Sequence, residues 1–397
     1  MSEWRSVNLG ELTELVTKGT TPPTVGEGFT KSGVNYIKSE AVGYDGRINK
    51  SNFVFISPEM HEKFKRSQLK ENDILFSMAG VFLGKNALVT KEMLPANTNQ
   101  ALAIIRLDHK KATPLFVHYF LRQQSTIELV NNMSGQSAQP NINFQEIRSI
   151  KLSLPDVHEQ KAIVAVLSSL DDKIDLLHRQ NRTLEAMAET LFRQWFVDGA
   201  QEDWGAGVIN NLVEILSGFP FKSSTFIESG KYQLITIKAV QDGYLELSGA
   251  DKLTEIPPNM PGYCRLKNGD ILLSLTGNVG RCCLVDNDGL LLNQRVAKLQ
   301  PRHVRDWAFT YVLFRQLSMK RTLEELAKGT AQANLSPIET SNMEFSIPPI
   351  SILEKYDECA TPILKKVLRN KVQIKILERL RDTLLPKLMS GEVRVAA

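Results

Sequence analysis

The stretch "LKENDILFSMAG", beginning at Leu69, returns as "LKNGDILLSLTG" from Leu266, with seven of twelve positions identical. That recurrence constrains the 397-residue chain before any element is assigned, because self-similarity at long range means one folding unit built twice. The match keeps its order. "GVFLGKNALV" answers "GNVGRCCLV", "NQALAII" from Asn99 answers "NQRVAKL" from Asn293, and "LRQQS" from Leu121 answers "FRQLS" from Phe314. Further on, "GQSAQPNI" from Gly135 answers "GTAQANL" from Gly329, "IKLSLP" answers "MEFSIP", and "LEAMAETL" from Leu184 answers "LERLRDTL" from Leu377. The offset drifts from about 198 to 193 as loop residues are lost, so the whole chain is a duplication.

Each copy carries the same order of elements. Short strand-like runs ("NYIKSEAV" and "DILFSMAG"; "YQLITIKAV" and "DILLSLTG") alternate with Gly or Asn turns. One amphipathic helix follows ("PLFVHYFLRQQSTIELVNNMSG"; "DWAFTYVLFRQLSMKRTLEELAKG"), closing at a glycine suited to a helix C-cap. A strand then ends at Pro155, or at Pro348 and Pro349, and a long helix begins. The fold class is α+β: two repeated α/β domains over 1–155 and 200–349, each followed by a long helix, over 156–199 and 350–391.

Both long helices show a heptad seam. In the first it runs Ile163, Leu167, Leu170, Ile174, Leu177, Asn181, Leu184, Ala188, Leu191, Trp195. In the second it runs Tyr356, Ala360, Ile363, Val367, Asn370, Ile374, Leu377, Arg381, Leu384, Leu388. One asparagine interrupts each seam, Asn181 at an a position and Asn370 at a d position, and a lone buried amide fixes register. If the two face each other in an antiparallel coiled coil, facing residue numbers sum to 551, as 181 and 370 do, and core meets core throughout. A constant sum also maps the pairs onto themselves under the pseudo-twofold axis that the duplication demands. A parallel pairing would strand both amides in the seam. Arg381 should snorkel outward from its seam position, and Pro362 should start or kink the second helix. Val164, Val166, Leu176, Met187, Phe192 and Phe196 lie off the seam of the first helix, and read as a face for a protein partner.

Catalytic chemistry finds no foothold. "GVFLGKN" at Gly80 is one residue short of a phosphate loop and has Asn86 where a hydroxyl should bind magnesium, so it reads as a turn. Asp156 in "PDVHEQK" reads as an N-cap or first-turn acid rather than a nuclease ligand. Cys264, Cys282, Cys283 and Cys359 form no C-x-x-C pair, which argues against zinc and disulfides, and the six histidines are scattered singly. No cofactor is expected. A net charge of +4 permits an anionic partner without requiring one. The N-terminus lacks a signal-like apolar stretch and no run is long enough to span a membrane, so a cytoplasmic location is expected.

"LPDVHEQKAIVAVLSSLDDKIDLL", the repeated "LKxxDILxSxxG" and "GxAQxNI/L" together resemble the specificity subunits of type I restriction-modification systems over the whole chain. The E-Q pair of that signature is degraded at the start of the second helix, "PPISILEKYDECATPIL". The resemblance implies a non-catalytic subunit of a site-specific deoxyribonuclease and adenine-N6 methyltransferase complex. Its two target recognition domains would each read half of an asymmetric, bipartite double-stranded DNA target. The helices would set the spacing and dock two methylation subunits, with restriction subunits joining the larger complex. The alternatives are a non-DNA scaffold or adaptor and a stand-alone DNA-modifying enzyme.

Residues identical in both copies cannot read different bases, so Asp73/Asp270, Ser77/Ser274 and Gly80/Gly277 are expected to be scaffold, with phosphate contact as the alternative. Polar residues that differ beside the shared frame are the candidates for base contact. These are Lys18, Thr20, Lys38, Lys85, Gln136 and Gln139 in the first domain, and Lys222, Lys238, Asn278, Arg281, Arg295 and Gln332 in the second.

Overall fold

The computed structural model describes residues 4–22, 28–80, 83–134, 140–327 and 334–395. The chain divides into two compact units, Met1–Asp172 with Glu378–Ala397, and Lys173–Leu377. Each long helix therefore contributes to both.

In the first unit, β1 (Arg5–Asn8), β2 (Thr13–Lys18), β3 (Val34–Ile37), β4 (Val54–Ile56), β5 (Ile74–Ser77), β6 (Asn86–Leu88), β7 (Ala96–Thr98), β8 (Leu102–Leu107) and β9 (Lys151–Leu154) form three small sheets. They are ordered β2-β8-β5-β6, β4-β3-β7 and β1-β9. Helices α1 (Pro58–Lys63), α2 (Pro114–Arg122), α3 (Gln124–Met133) and α4 (Phe144–Ser149) accompany them, and α5 (Val157–Phe196) begins here. The second unit repeats the order with β10 (Gly205–Val208), β11 (Val213–Ser217), β12 (Tyr232–Ile235), β13 (Lys252–Leu253), β14 (Ile271–Ser274), β15 (Cys282–Leu284), β16 (Leu290–Leu292), β17 (Val296–Pro301) and β18 (Glu344–Ile347). Its sheets are β11-β17-β14-β15, β13-β12-β16 and β10-β18. Helices α6 (Trp307–Arg315), α7 (Leu317–Ala327) and α8 (Pro337–Ser341) lead to α9 (Ile350–Ser390).

The strands of the repeated "DIL" runs are buried at every position because both of their faces are covered. Ile74 and Phe76 join the core under α2 and the long helices, while Leu75 joins the core toward the smaller sheet. Ile271 and Leu273 repeat this against Leu272. The neighbours Cys282 and Cys283 likewise enter opposite cores, and all four cysteines are free.

The amphipathic stretch expected as one helix is two in each copy. The chain turns extended at Gln123 (φ −61°, ψ 138°) and at Gln316 (φ −61°, ψ 137°). Neither break has a proline or glycine to announce it. Each Gln side chain donates back to a carbonyl of the preceding helix, Phe120 O or Val312 O. The glycines expected to close these helices, Gly135 and Gly329, lie outside the described residues.

Within the second unit, Asn370 Nδ2 donates to Asn181 Oδ1 at 2.8 Å, with Asn370 fully buried and Asn181 7% exposed. Ile174, Leu177, Ile374 and Leu377 pack beside them, and the Trp195 and Tyr356 rings meet edge to face. Within the first unit, Ile163 and Leu167 share a core with Leu384 and Leu388. These are the antiparallel pairings required by the constant sum.

Three expectations about the helices need correction. Arg381 does not snorkel: it is 7% exposed, and its Nη1 donates to Asp171 Oδ1 at 2.9 Å while Nε donates to Asp382. Asp171 also accepts from Tyr119 Oη and Arg122 Nη1. A carboxylate within reach offsets the cost of burying the guanidinium, which a seam of apolar residues could not. Pro362 neither starts nor ends α9, which runs unbroken from Ile350; the proline is exposed, so the carbonyl it leaves unpaired can face water. The proposed docking face is mostly occupied by the chain itself. Val164 and Val166 pack on the first unit's core, and Phe192 and Phe196 on the second's, leaving Leu176 and Met187 exposed.

The E-Q pair has structural work. Gln160 is 1% exposed; its Oε1 accepts from Thr113 N and its Nε2 donates to Pro155 O. Glu159 accepts from Trp4 Nε1 and pairs with Arg394, holding the two ends of the described chain together. Asp156, just ahead of α5, is its N-cap: Oδ1 accepts from Glu159 N.

Candidate nucleic-acid interface

Strand register gathers candidates at one end of each four-stranded sheet. In the first unit, β2 ends at Lys18 opposite Ala103, β5 ends at Ser77 opposite Leu102, and Lys85 immediately precedes β6. Thr20 N donates to Thr98 O, and Ile37, the residue before Lys38, pairs with Thr98. Lys18, Thr20, Lys38 and Lys85 thus lie toward the same end of the sheet, with Lys18 and Lys85 at its opposite edges. Gly19 permits the approach, since a Cβ there would lie 2.0 Å from the Thr98 carbonyl oxygen. Gly218 in the second copy stands 2.1 Å by the same measure from Asn293 O. Lys38 Nζ sits 4.5 Å from the Phe29 ring centre and Lys85 Nζ 4.1 Å from that of Tyr44. Burial lowers the Lys85 pKa from its ordinary value, against the opposing charge of Asp45.

In the second unit, β14 ends at Ser274 opposite Val296, with Arg295 just before β17. Arg295 is exposed and has φ +74°, a left-handed conformation that costs a side-chain-bearing residue energy and recurs at functional sites; its carbonyl accepts from Leu275 N. The loop between β14 and β15 brings Asn278 and Arg281 together. Arg281 Nη1 donates to Gln241 Oε1 at 2.5 Å, and the Asn278 amide, with Oδ1 turned inward, accepts from Nη2 at 2.8 Å. Gln241 Nε2 in turn donates to Lys238 O. Lys222 stands apart, exposed ahead of the short turn Ser223–Thr225. Gln136, Gln139 and Gln332 lie outside the described residues, but the segments around them return to the same sheet ends through the bridges Ala79–Asn141 and Thr276–Asn334.

Most residues shared by both copies do frame work; the Ser77 hydroxyl, buried with no partner among the described residues, does not. Asp73 is 1% exposed, accepts from Lys70 N, and grips Arg106 through two bonds of 2.7 Å. Asp270 accepts from Lys267 N and pairs with Lys298. Ser274 Oγ donates to Asn278 O and accepts from Arg281 N, pinning the loop that presents both candidates. Gly80 and Gly277 take φ +68° and +71°, where a side chain would be strained.

Tyr44 and Gln241, the braces under Lys85 and Arg281, are absent from the candidates read in sequence. The signal was present: both follow a shared Ala-Val and precede a shared Asp-Gly. Among the histidines, His118 is buried with its pKa pushed down to about 3 by burial and by the Arg122 charge, and its Nδ1 lies 2.8 Å from Asn86 Oδ1. No group of three or more His, Cys, Asp or Glu positioned for a metal occurs among the described residues. No described helix is long and apolar enough to cross a membrane.

Comparison with known proteins agrees with this layout. The MjaIX specificity subunit of Methanocaldococcus jannaschii is 25% identical over 326 residues, covering 76% of this chain and 74% of the relative. The HindI specificity subunit of Haemophilus influenzae is 23% identical over 404 residues, covering 83% and 88%. The crystal structure of a type I restriction-modification S subunit from M. genitalium shares the fold, with a TM-score of 0.61 at 18% identity and 97% and 96% coverage. The family model described as the type I restriction modification DNA specificity domain matches residues 1–186 and again 201–384, so the chain belongs to that family and carries its domain twice.

Proposed function

We propose that the chain is the DNA-reading, non-catalytic subunit of a type I restriction-modification complex, with target recognition domains over 1–155 and 200–349 and spacer helices over 156–199 and 350–391. One observation carries this reading: two equivalent sheet ends keep the same serine and glycines but present different cations, Lys85 in one and Arg281 in the other. A reader of one repeated sequence would have no use for that difference. Each domain therefore takes one half of an asymmetric, bipartite DNA target, with Lys18, Thr20, Lys38, Lys85, Gln136 and Gln139 serving one half and Lys222, Lys238, Asn278, Arg281, Arg295 and Gln332 the other. The long helices, at about 1.5 Å per residue, reach roughly 60 Å and set the spacing. Methylation subunits, two of them, dock on this assembly and supply the adenine chemistry, restriction subunits join the larger complex, and the setting is the cytoplasm.

Mobility shift of duplex DNA by the full chain, with and without a methylation subunit, tests the reading. Sequence-preferring retardation that grows with the methylation subunit is expected. Absence of DNA binding under both conditions would favour a scaffold instead, and modification of DNA by the chain alone would favour an enzyme.

A further inference from the structure

We infer that Arg281 reads a guanine in the half-site taken by the second domain. This deepens the proposed function and rests on it. Arg281 occupies a station defined by the shared frame: its backbone N–H is bonded to Ser274 Oγ, and Ser274 N donates to its carbonyl. The corresponding residue of the first copy, Lys85, has its carbonyl bonded by Ser77 N. The backbone stations match, the serine hydroxyl bonds the backbone only in the second copy, and the head groups differ.

The setting of the guanidinium separates a reader from a structural arginine. Arg305 and Arg315 in the same unit face carboxylates, Asp306 and Glu354 for the one, Glu185 and Glu189 for the other. Arg281 instead is held by neutral amide oxygens from two loops, Gln241 and Asn278, and has no carboxylate partner among the described residues. Its charge is uncancelled and its plane is fixed, because Gln241 is itself anchored to Lys238 O. A planar fork oriented in advance suits the paired acceptors O6 and N7 of guanine. A phosphate contact would use the charge without needing the orientation. Lys85, a point charge over the Tyr44 ring, cannot make the same two-pronged contact, so the first half-site should differ at this position.

The test is selection from a randomised duplex library by the full chain bound to its methylation subunit, comparing wild type with Arg281→Ala, Arg281→Lys and Gln241→Ala. Arg281→Ala should relax one guanine position of one half-site by about five- to a hundred-fold, leaving the other half and the spacing unchanged. Arg281→Lys should keep overall affinity and lose most of that discrimination, which also answers any folding defect of the alanine variant. Gln241→Ala, a positioning change, should relax the same position less. Affinity lost equally for every sequence with a shallower salt dependence, or an unchanged motif, overturns the inference alone. A wild type that enriches no bipartite sequence overturns both it and the proposed function.

Discussion

The two copies diverge in two places, and the divergences have opposite costs. At the sheet ends, Lys85 over the Tyr44 ring in one copy stands where Arg281 between two amides stands in the other, and both cations are satisfied. At the helix starts the second copy is poorer. Where Gln160 caps the Thr113 amide, the equivalent pair is Leu353 and Asp306, and the Asp306 carboxylate, 1% exposed, has no described side chain capping it and faces Arg305 Nε only at 3.8 Å. Where Glu159 accepts from Trp4, the equivalent pair is Ile352 and Trp204, whose indole N–H is buried without a partner. Divergence at the half-buried station is built and braced, whereas divergence at the buried one leaves Trp204 Nε1 without a described partner and Asp306 with only a distant ion pair to Arg305.

The largest expected effect breaks the first unit alone. Asp171→Ala leaves Arg122 and Arg381 without their shared carboxylate and should cost about 3–5 kcal/mol in urea unfolding. Burial opposes ionisation of Asp171, but the Arg381 hydrogen bond, the Arg122 charge and the Tyr119 hydroxyl outweigh it and hold its pKa below the ordinary value. Its folded pKa being depressed, its contribution is present above about pH 4 and is lost as pH falls through the depressed value. An acid titration of stability should therefore flatten in Asp171→Ala.

Next in size is the asparagine pair. Asn181→Leu leaves the buried Asn370 amide unpaired and should cost about 1–3 kcal/mol. The double variant with Asn370→Leu should recover most of that stability, so a double-mutant cycle would show strong coupling.

The smallest effect concerns the second copy's helix start. Burial raises the Asp306 pKa, with Arg305 opposing. A carboxyl raised in the folded state contributes most below the ordinary carboxylate range and is penalised as pH rises through the raised value. Asp306→Asn should thus stabilise by about 1 kcal/mol at pH 7, with the gain vanishing in acid. A gain that persisted unchanged at low pH would mean the carboxylate is not the source of the cost.

Periodicity carried much of this fold. The duplication, the strands around "DIL", and the antiparallel register of Asn181 with Asn370 could all be read because each follows from spacing. What spacing could not give was the environment of single side chains. The constant sum sets Arg381 opposite Leu170, beside Asp171, but the turn of its guanidinium inward onto that carboxylate depends on the Tyr119 and Arg122 side chains gathered there, which spacing does not show. The breaks at Gln123 and Gln316 follow from packing and side-chain bonds to carbonyls, with no helix-breaking residue to mark them. Tyr44 and Gln241 were overlooked because a brace is recognised only once its cation is placed. The apolar surplus on α5 was legible as composition, but the surfaces it meets were not.

Mapping methylated adenines in a host genome with and without this gene bears most directly on the claim that two diverged readers share one frame. The account predicts the loss of a single bipartite motif whose two halves differ in sequence. A palindromic motif, or no motif lost at all, would contradict it.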